Sequence, residues 1–294
     1  FKTVQQALEW AESKFEQAGL FYGHGTDNAW DDAVAIMISV LDLPVDVDAS
    51  ILQRELSEDE SNKMLDLFGQ RIAQRIPTPY LTKQTWFCGL PFYVDERVII
   101  PRSPIAELIE QQFEPWIDAS DVSRVLDLCC GSACIAIACA YAFPDASIDA
   151  LDLSEEALAV AKINQEKHQV EKQVNLIQSD LFSALGDQRY DIIVTNPPYV
   201  DADDFGSMPD EFQHEPKMAL VSGQDGLDAT RIILREARQY LTDKGILIVE
   251  VGNSDLIVSN KKYSVGPKAL KYNDQLSAWS LFFTHIVSGT APKP

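Results

Sequence analysis

The tetrapeptide Asn196-Pro197-Pro198-Tyr199 combines residue types that suit chemistry on a planar nitrogen, and it directly follows the apolar segment Tyr190–Thr195. Two prolines fix the backbone and remove two N–H donors, so the carbonyl groups remain as hydrogen-bond acceptors. The side chain of Asn196 adds an acceptor oxygen, and Tyr199 adds a flat aromatic face. The combination predicts a pocket that holds both N–H groups of an amide or exocyclic amine and turns the nitrogen lone pair toward an electrophile. The alternative is an ordinary proline-rich turn capped by Asn196.

A second group of residues has the spacing of a nucleotide-type site. Gly131 lies in a loop that follows the apolar segment Arg124–Leu128 and opens a predicted helix, whose first N–H groups are available to a ligand. Asp152 ends the next predicted strand about 20 residues further on, where a carboxylate can accept hydrogen bonds from ribose hydroxyls. Asp180 follows a third strand and is placed to reach an adenine edge. Each acidic residue alone is explained by helix capping, but together they predict an adenosine-containing ligand along the carboxyl edge of one sheet.

The spacing of apolar residues divides the chain into a helical first part and an alternating second part. Helical spacing predicts helices from Val4 to Phe15, from Trp30 to about Leu41 and after a capping box that begins at Ser57. Two β-rich stretches, Thr85 to Phe87 and Phe92 to Ile100, predict a connecting hairpin. The first helices therefore form a small bundle that the hairpin joins to the rest of the chain.

From Ser123 onward, short apolar runs alternate with helical stretches, which predicts a parallel sheet covered by helices on both faces. The predicted strands are Arg124–Leu128, Ser147–Leu151, Val174–Gln178, Tyr190–Thr195 and Gly245–Val251. The predicted helices run from Ala133 to Tyr141, from Ser154 to His168 and from Ala229 to Tyr240. Residues 201–210, which carry several aspartates, are interpreted most simply as solvated surface.

Composition and charge restrict the classes of protein and partner. With 294 residues, 46% of them hydrophobic and 23% charged, the chain is able to bury a large core, which excludes a disordered or collagen-like protein. Lys and Arg number 24 against 45 Asp and Glu, so the formal net charge is −21. Such a surface repels phosphate backbones and attracts a basic partner, so we expect no direct nucleic-acid binding. No apolar run approaches the about 20 residues that cross a bilayer, and no signal-peptide pattern is seen, which predicts a cytoplasmic protein without a membrane partner.

The cysteines and histidines do not form a recognisable metal site or nucleophile. The five cysteines have no histidine at a zinc-site spacing, and we interpret them as small buried apolar side chains rather than as a redox or metal centre. They are Cys88, Cys129, Cys130, Cys134 and Cys139. The four histidines are scattered along the chain, so we expect neither a bound metal nor a covalent intermediate.

These motifs resemble those of the class I S-adenosylmethionine methyltransferases that act on planar nitrogens, and among them the N(5)-glutamine methyltransferases. The likeness covers roughly Thr3 to Asn253. The stretches 22–30 and 101–107 are similar to the branch that methylates ribosomal protein L-three. The resemblance implies an α/β fold, with a Rossmann-like class I methyltransferase sheet and helices on both faces. It also implies an N-terminal helical substrate-recognition domain (1–79), a β-hairpin connector (80–104) and a methyltransferase domain (105–294).

The resemblance also implies roles for individual residues. The catalytic residues would be Asn196, Pro197 and Tyr199, and the substrate-binding residues would be Arg102, Asn196, Pro197, Pro198 and Tyr199. The residues that bind S-adenosylmethionine would be Asp127, Cys129, Cys130, Gly131, Ala133, Asp152, Leu153, Asp180, Leu181 and Asn196. Two positions depart from the family pattern: Ala133 stands where glycine is usual, and the stretch after about Ser254 lacks the usual ending. We expect the extra methyl group of Ala133 to cost cofactor affinity rather than the fold.

The expected reaction is direct in-line transfer of a methyl group to the side-chain amide nitrogen of a glutamine in ribosomal protein L-three, a basic protein substrate. One alternative is a nucleic-acid adenine amino-methyltransferase, because the adenine amine has the same planar geometry; the net charge argues against it. The other alternative is a methyltransferase-like binding protein without activity. Titration with S-adenosylmethionine tests the latter.

Overall fold

The computed structural model describes residues 1–251. The sequence also predicts one β-strand within residues 277–287; this stretch and the unusual ending of the chain lie outside the described residues. None of the helices in the described part is long and apolar enough to cross a membrane.

The first part of the chain is helical, as its apolar spacing predicted. The helices are α1 (Val4–Gln17), α2 (Ala29–Leu41), α3 (Glu58–Gln74) and α4 (Thr78–Thr82). Asn28 caps α2, and Ser57 and Glu60 form the predicted capping box of α3. The interior of this bundle includes Phe15 and Phe68, whose rings pack edge to face with centroids 5.7 Å apart.

The prolines that follow α3 lie at the start of the next helix, α4. The sequence predicts only that Pro77 and Pro79 stop α3. In the structure α3 ends earlier, at Gln74, where Arg75 follows as its C-cap in the left-handed conformation, and Pro79 lies in the first turn of α4. A proline is accommodated there because the first N–H groups of a helix have no intrahelical partner.

The connecting hairpin is shorter than predicted. Its strands are β1 (Thr85–Phe87) and β2 (Leu90–Phe92), and the predicted strand from Phe92 to Ile100 is wrong beyond Phe92. After β2, the main chain of Tyr93 forms hydrogen bonds with the side chain of Asn164, at 2.7 and 3.0 Å, instead of with a neighbouring strand. Val94, Val98 and Ile100 are buried in a separate small cluster, so their apolar character reflects burial and not pairing. Helix α5 (Ile105–Glu110) then leads to the sheet.

The second part of the chain forms the predicted parallel sheet of five strands, in the order β5-β4-β3-β6-β7. The strands are β3 (Arg124–Leu128), β4 (Ser147–Asp152), β5 (Val174–Gln178), β6 (Tyr190–Thr195) and β7 (Leu241–Val249). The helices that connect them are α6 (Cys134–Ala142), α7 (Glu155–His168), α8 (Ala202–Phe205), α9 (Lys217–Leu220) and α10 (Asp228–Glu236). The predicted helix Ala229–Tyr240 ends at Glu236 and continues as a 3₁₀ turn. Neighbouring residues Val125 and Leu126 belong to different apolar clusters, so both faces of the sheet are covered, as predicted.

The segment between residues 200 and 221 packs against the N-terminal helices through a buried ionic cluster. Arg71 on α3 is 2% exposed and donates to Asp32 at 2.9 Å, to Glu211 at 3.2 Å and to the Phe21 carbonyl at 2.7 Å. Glu211 is fully buried and also accepts from the N–H of Phe21 at 2.9 Å and from Arg75 at 3.1 Å. The excursion that follows the Asn-Pro-Pro-Tyr segment is therefore joined to the helical bundle.

Candidate active site

The two predicted binding loops start side by side at the carboxyl edge of the sheet. The chain passes from β3 outward to β4 and β5, and then crosses back to β6 on the other side of β3. In open α/β sheets ligands bind where the strand order reverses in this way. Leu128 pairs with Thr195 at the ends of β3 and β6, and the buried hydroxyl of Thr195 donates to the Leu128 carbonyl at 2.8 Å.

The loop after β3 has a backbone suited to close approach by a ligand. Cys129, Gly131 and Ala133 all have positive φ, at 59°, 53° and 61°. A Cβ atom added at Gly131 would meet no heavy atom of the described part of the chain within 4 Å, so this position borders open space there. Ala133 precedes α6 in the left-handed conformation, which costs a residue with a side chain about 1–2 kcal/mol and explains why glycine suits this position. Its methyl group is fully buried.

Asp152 at the end of β4 supports this loop. Its carboxylate accepts from the N–H of Gly131 at 2.8 Å and from the N–H of Ser154 at 2.9 Å. Burial raises the pKa of this carboxyl, against the effect of those backbone hydrogen bonds. A carboxylate has about four acceptor positions, so Asp152 retains capacity for ligand hydroxyl groups.

Asp127 lies inside the sheet layer beneath the same loop. Its side chain is fully buried, and one oxygen accepts from the N–H of Ala136 at 2.9 Å. The other oxygen has no hydrogen-bond partner among residues 1–251. Burial raises the pKa of Asp127 well above its usual value. An unpartnered buried oxygen of this kind fits a ligand with a cationic or N–H donor group.

The third predicted loop lies on the same edge, beyond β4. The N–H of Ser179 donates to the Asp152 carbonyl at 2.9 Å, which brings the end of β5 beside the end of β4. Asp180 is exposed, Leu181 has positive φ, and the apolar side chain of Leu153 is 54% exposed. An exposed leucine beside an exposed carboxylate suits the flat face and polar edge of a base.

The Asn-Pro-Pro-Tyr segment lies at the adjacent end of β6 and borders a small cavity. The cavity has a volume of about 20 Å³, room for about one water molecule. Its lining residues are Ile99, Arg102, Asn196, Pro197, Tyr199, Val200, Ala219 and Leu220. Pro197 is buried, whereas Asn196, Pro198 and Tyr199 are half-buried. The structure therefore brings Arg102 to the motif from nearly a hundred residues earlier in the chain.

Two buried carboxylates hold the walls of this cavity, and neither was singled out from the sequence. Glu250, directly after β7, accepts from the hydroxyl of Tyr199 at 3.1 Å. Glu215 accepts from both terminal nitrogens of Arg102, at 2.5 and 2.8 Å. Burial opposes ionisation of Glu215, but the Arg102 guanidinium holds the pKa of that carboxyl below its usual value. The position of Glu250 at the end of an apolar strand was a usable signal; Glu215 has no such sequence signal.

His24 from the N-terminal part lies beside Glu215. Its ring is 3% exposed, its Nε2 lies 4.0 Å from the nearest oxygen of Glu215, and it packs on Phe212 with ring centroids 4.5 Å apart. Burial and the charge of Arg102 lower the pKa of His24 to about 4, so the ring is neutral near pH 7. It stands in the stretch 22–30, but its type alone gave no reason to place it near the motif.

Three of the five cysteines are buried, as the sequence predicted, and two are only half-buried. Cys130, Cys134 and Cys139 are buried, and Cys88 and Cys129 are half-buried, all as unpaired thiols. Burial raises the pKa of Cys88 to about 12 and also raises the pKa of the other four thiols. Thiols of this kind are poor nucleophiles because the thiolate is the reactive form.

The five-stranded sheet, the glycine loop at its switch point and the acidic residues on neighbouring strand ends define a class I methyltransferase that uses S-adenosylmethionine. The unpartnered oxygen of Asp127 suits the ammonium group of the cofactor, and the carboxylates of Asp152 and Asp180 suit its polar ribose and adenine edges. The family model of the methyltransferase small domain matches residues 113–265.

Curated relatives define the family more closely. The chain is 48% identical over 253 residues to the "Ribosomal protein uL3 glutamine methyltransferase" of Francisella tularensis subsp. tularensis, covering 86% of this chain and 81% of the relative. It is 49% identical to the protein of the same name from Neisseria gonorrhoeae, covering 86% and 84%. The chain belongs to this family of methyltransferases. Among solved structures, the catalytic domain of hMettl16 in complex with the MAT2A 3′UTR hairpin 6 has the same fold, with a TM-score of 0.51, 14% identity and coverage of 83% and 87%.

Replacing Asp152 by alanine is expected to weaken S-adenosylmethionine binding at least about tenfold. The change removes the acceptor that holds the Gly131 N–H and a carboxylate available to ribose hydroxyls. A hydrogen bond to a charged group contributes about 1.5–3 kcal/mol, and about 1.4 kcal/mol is a factor of ten. Calorimetric titration measures the dissociation constant, with the exposed Asp187→Ala as control. Equal affinity of the Asp152 variant and the wild type would remove this residue from the cofactor site.

Proposed function

We propose that this protein methylates the side-chain amide nitrogen of a glutamine in ribosomal protein uL3. The observation that carries the proposal is the Asn-Pro-Pro-Tyr segment at the end of β6, beside the end of β3. This placement puts amide acceptors next to the loop that suits the methyl donor. The names of the two curated relatives support glutamine as the acceptor and uL3 as the substrate.

In this proposal the acceptor amide is held by the oxygen atoms of Asn196 and of the Pro197 carbonyl. Each accepts one N–H of the planar NH₂ group, which fixes the amide plane so that the nitrogen lone pair, perpendicular to that plane, faces the methyl donor, and which stabilises positive charge as it develops on nitrogen. Bound S-adenosylmethionine would supply an electrophilic methyl group: the C–N bond would form as the sulfonium C–S bond breaks, S-adenosylhomocysteine would be the leaving group, and the methylated nitrogen would release one N–H proton to water. No covalent enzyme intermediate is needed, in keeping with buried thiols of raised pKa and a neutral His24.

The ring of Tyr199 and the stem of Arg102 form the rest of the acceptor site in this proposal. A carboxamide is larger than one water molecule, so its binding must widen the cavity of about 20 Å³. The positive charge of Arg102 is paired with the carboxylate of Glu215. Arg102 therefore adds no unpaired charge to the cavity.

The proposed substrate is basic, and we assign its contacts to the helical part and to the excursion after Tyr199. Asp203, Asp204 and Asp210 on this excursion are exposed, and the whole chain has a formal charge of −21. Opposite charge speeds encounter and weakens with salt. The same charge supports the absence of direct nucleic-acid binding.

The test is incubation of unmodified uL3 with the enzyme and isotope-labelled S-adenosylmethionine, followed by peptide mass mapping. We expect one methyl group on a single glutamine of uL3, and a kcat/KM that falls as salt is raised. Adenine-containing DNA and RNA oligonucleotides serve as parallel acceptors and are expected to remain unlabelled.

Two results would contradict the proposal. Label on the oligonucleotides and not on uL3 would favour the adenine alternative. Label on a lysine, arginine or histidine of uL3 would show that the acceptor pocket does not select a carboxamide.

A further inference from the structure

The two prolines leave the acceptor segment with few ways to be held by its own backbone. Pro197 and Pro198 have no N–H to donate, so the hydrogen bonds that fix this turn must come from its two ends. At the first end, the N–H of Glu250 donates to the Thr195 carbonyl at 3.0 Å. At the other end, the carboxylate of Glu250 accepts from the hydroxyl of Tyr199 at 3.1 Å. One residue therefore contacts the chain on both sides of the double proline.

Glu250 is itself held from the opposite direction. Its second carboxylate oxygen accepts from the hydroxyl of Ser103, and the oxygen of Ser103 accepts from the N–H of Ile105 at 3.1 Å. Both Glu250 and Ser103 are 6% exposed, so this chain of hydrogen bonds is shielded from solvent. Ser103 belongs to the stretch that joins the hairpin to α5, next to Arg102. The connector thus reaches the acceptor segment through Glu250.

A buried carboxylate with two hydroxyl donors restricts the direction of each donor. Hydrogen bonds to a charged acceptor are stronger than neutral ones, and side chains that hold substrates work best when their own rotamers are fixed in this way. Burial raises the pKa of Glu250, while the hydroxyls of Ser103 and Tyr199 and the charge of Arg102 favour its ionised form. Tyr199 lines the cavity. If its hydroxyl were not held, the ring could move, and the wall of the cavity would move with it.

We propose that Glu250 is a positioning residue for methyl transfer, which fixes the ring of Tyr199 through its hydroxyl and so orients the acceptor amide held by Asn196 and Pro197. This inference rests on the proposed function. Loss of Glu250 is expected to lower turnover, because the acceptor amide loses its orientation when the ring of Tyr199 moves. Its effect on cofactor affinity is small, because the residues assigned to the cofactor, apart from Asn196, lie in or directly after β3, β4 and β5.

The test is a double-mutant cycle with Glu250→Gln, Tyr199→Phe and the double variant, assayed with uL3 at saturating concentrations. We expect each single change to lower kcat about tenfold, and the double variant to be no worse than about tenfold, because both changes act on the same hydrogen bond: Tyr199→Phe removes its donor and Glu250→Gln replaces its charged acceptor with a neutral amide. The dissociation constant of S-adenosylmethionine should stay within about twofold of wild type in all three. The exposed Glu171→Gln and Tyr141→Phe are matched controls with unchanged kcat.

Three outcomes would overturn the inference. One is an unchanged kcat in Glu250→Gln or in Tyr199→Phe. Another is a double variant whose loss is the product of the two single losses, near 100-fold, which would mean that the two residues act separately. The third is a parallel loss of cofactor affinity and kcat, which would indicate general damage to the fold. If Glu250→Gln fails to fold, Tyr199→Phe alone still decides, since it removes the same hydrogen bond without removing the buried carboxylate.

A measurement without substrate separates this inference from the proposed function. In protein labelled with 3-fluorotyrosine, the fluorine resonance of Tyr199 is assigned by its absence in Tyr199→Phe. We expect that resonance to shift and broaden in Glu250→Gln but not in Glu171→Gln. An unaltered resonance contradicts the positioning role even if uL3 is the substrate. A shifted and broadened one supports it even if uL3 is not.

Discussion

Replacing Asn196 by alanine is expected to lower turnover at least about 100-fold, by analogy with the loss of one preorganised polar contact at a reacting centre. Asn196 and the Pro197 carbonyl are the two acceptors that the proposal assigns to the amide hydrogens, so the loss of the Asn196 side chain leaves one amide N–H without its assigned acceptor. An amide nitrogen is too weakly acidic to lose a proton beforehand near neutral pH. Its reactivity therefore depends on how its hydrogens are held.

The measurement is kcat with uL3 and S-adenosylmethionine both saturating, so that a change in affinity does not appear as a change in turnover. The exposed Asn62→Ala is the matched control and should turn over like the wild type. Near-normal methylation by Asn196→Ala would exclude this side chain from the acceptor role.

Replacing Arg71 by alanine is expected to destabilise the protein by about 3–5 kcal/mol. Arg71 is 2% exposed and pairs with Asp32 and Glu211, at 2.9 and 3.2 Å. Removing one partner of a buried ion pair leaves uncompensated charge in the interior, which accounts for a cost of this size. The free energy of unfolding from urea denaturation measures it. The excursion after Tyr199 is joined to α3 through this cluster, so we also expect its packing to loosen.

The matched control is Arg231→Ala, because the Arg231–Asp225 pair has an N–O distance of 2.6 Å but side chains that are 53% and 52% exposed. Exposed pairs contribute about 0–1 kcal/mol, so a loss from Arg71→Ala no larger than that of Arg231→Ala would contradict the prediction.

Acid should weaken the same cluster. Burial raises the pKa of Glu211, but the N–H of Phe21 and the charge of Arg71 outweigh it and hold the pKa below its usual value. A depressed folded pKa means that this stabilisation is present above the unfolded pKa and is lost as the pH falls through the folded one.

The sequence by itself determined most of the helices and strands, and it indicated which loops after the strands bind ligands. Three of the strands, Arg124–Leu128, Val174–Gln178 and Tyr190–Thr195, lie where their apolar runs predicted them, and the capping box at Ser57 begins α3. These features depend on side-chain periodicity and on hydrogen bonds between residues a few positions apart, so they are readable along the chain. The Asn-Pro-Pro-Tyr motif is equally local.

Only the tertiary structure decided what surrounds that motif. The pairing of Arg102 with Glu215, the approach of His24 and the bond from Tyr199 to Glu250 join residues 51 to 191 positions apart. The predicted strand after Phe92 also proved to be irregular chain, because Asn164 on a distant helix takes the main-chain hydrogen bonds of Tyr93 and Glu215 takes that of the Ile100 N–H. A buried carboxylate and an exposed one have the same letter in the sequence. The buried carboxylate has lost its hydrating water and has gained a hydrogen-bond or ion-pair partner. Both changes arise only when distant segments of the chain pack together.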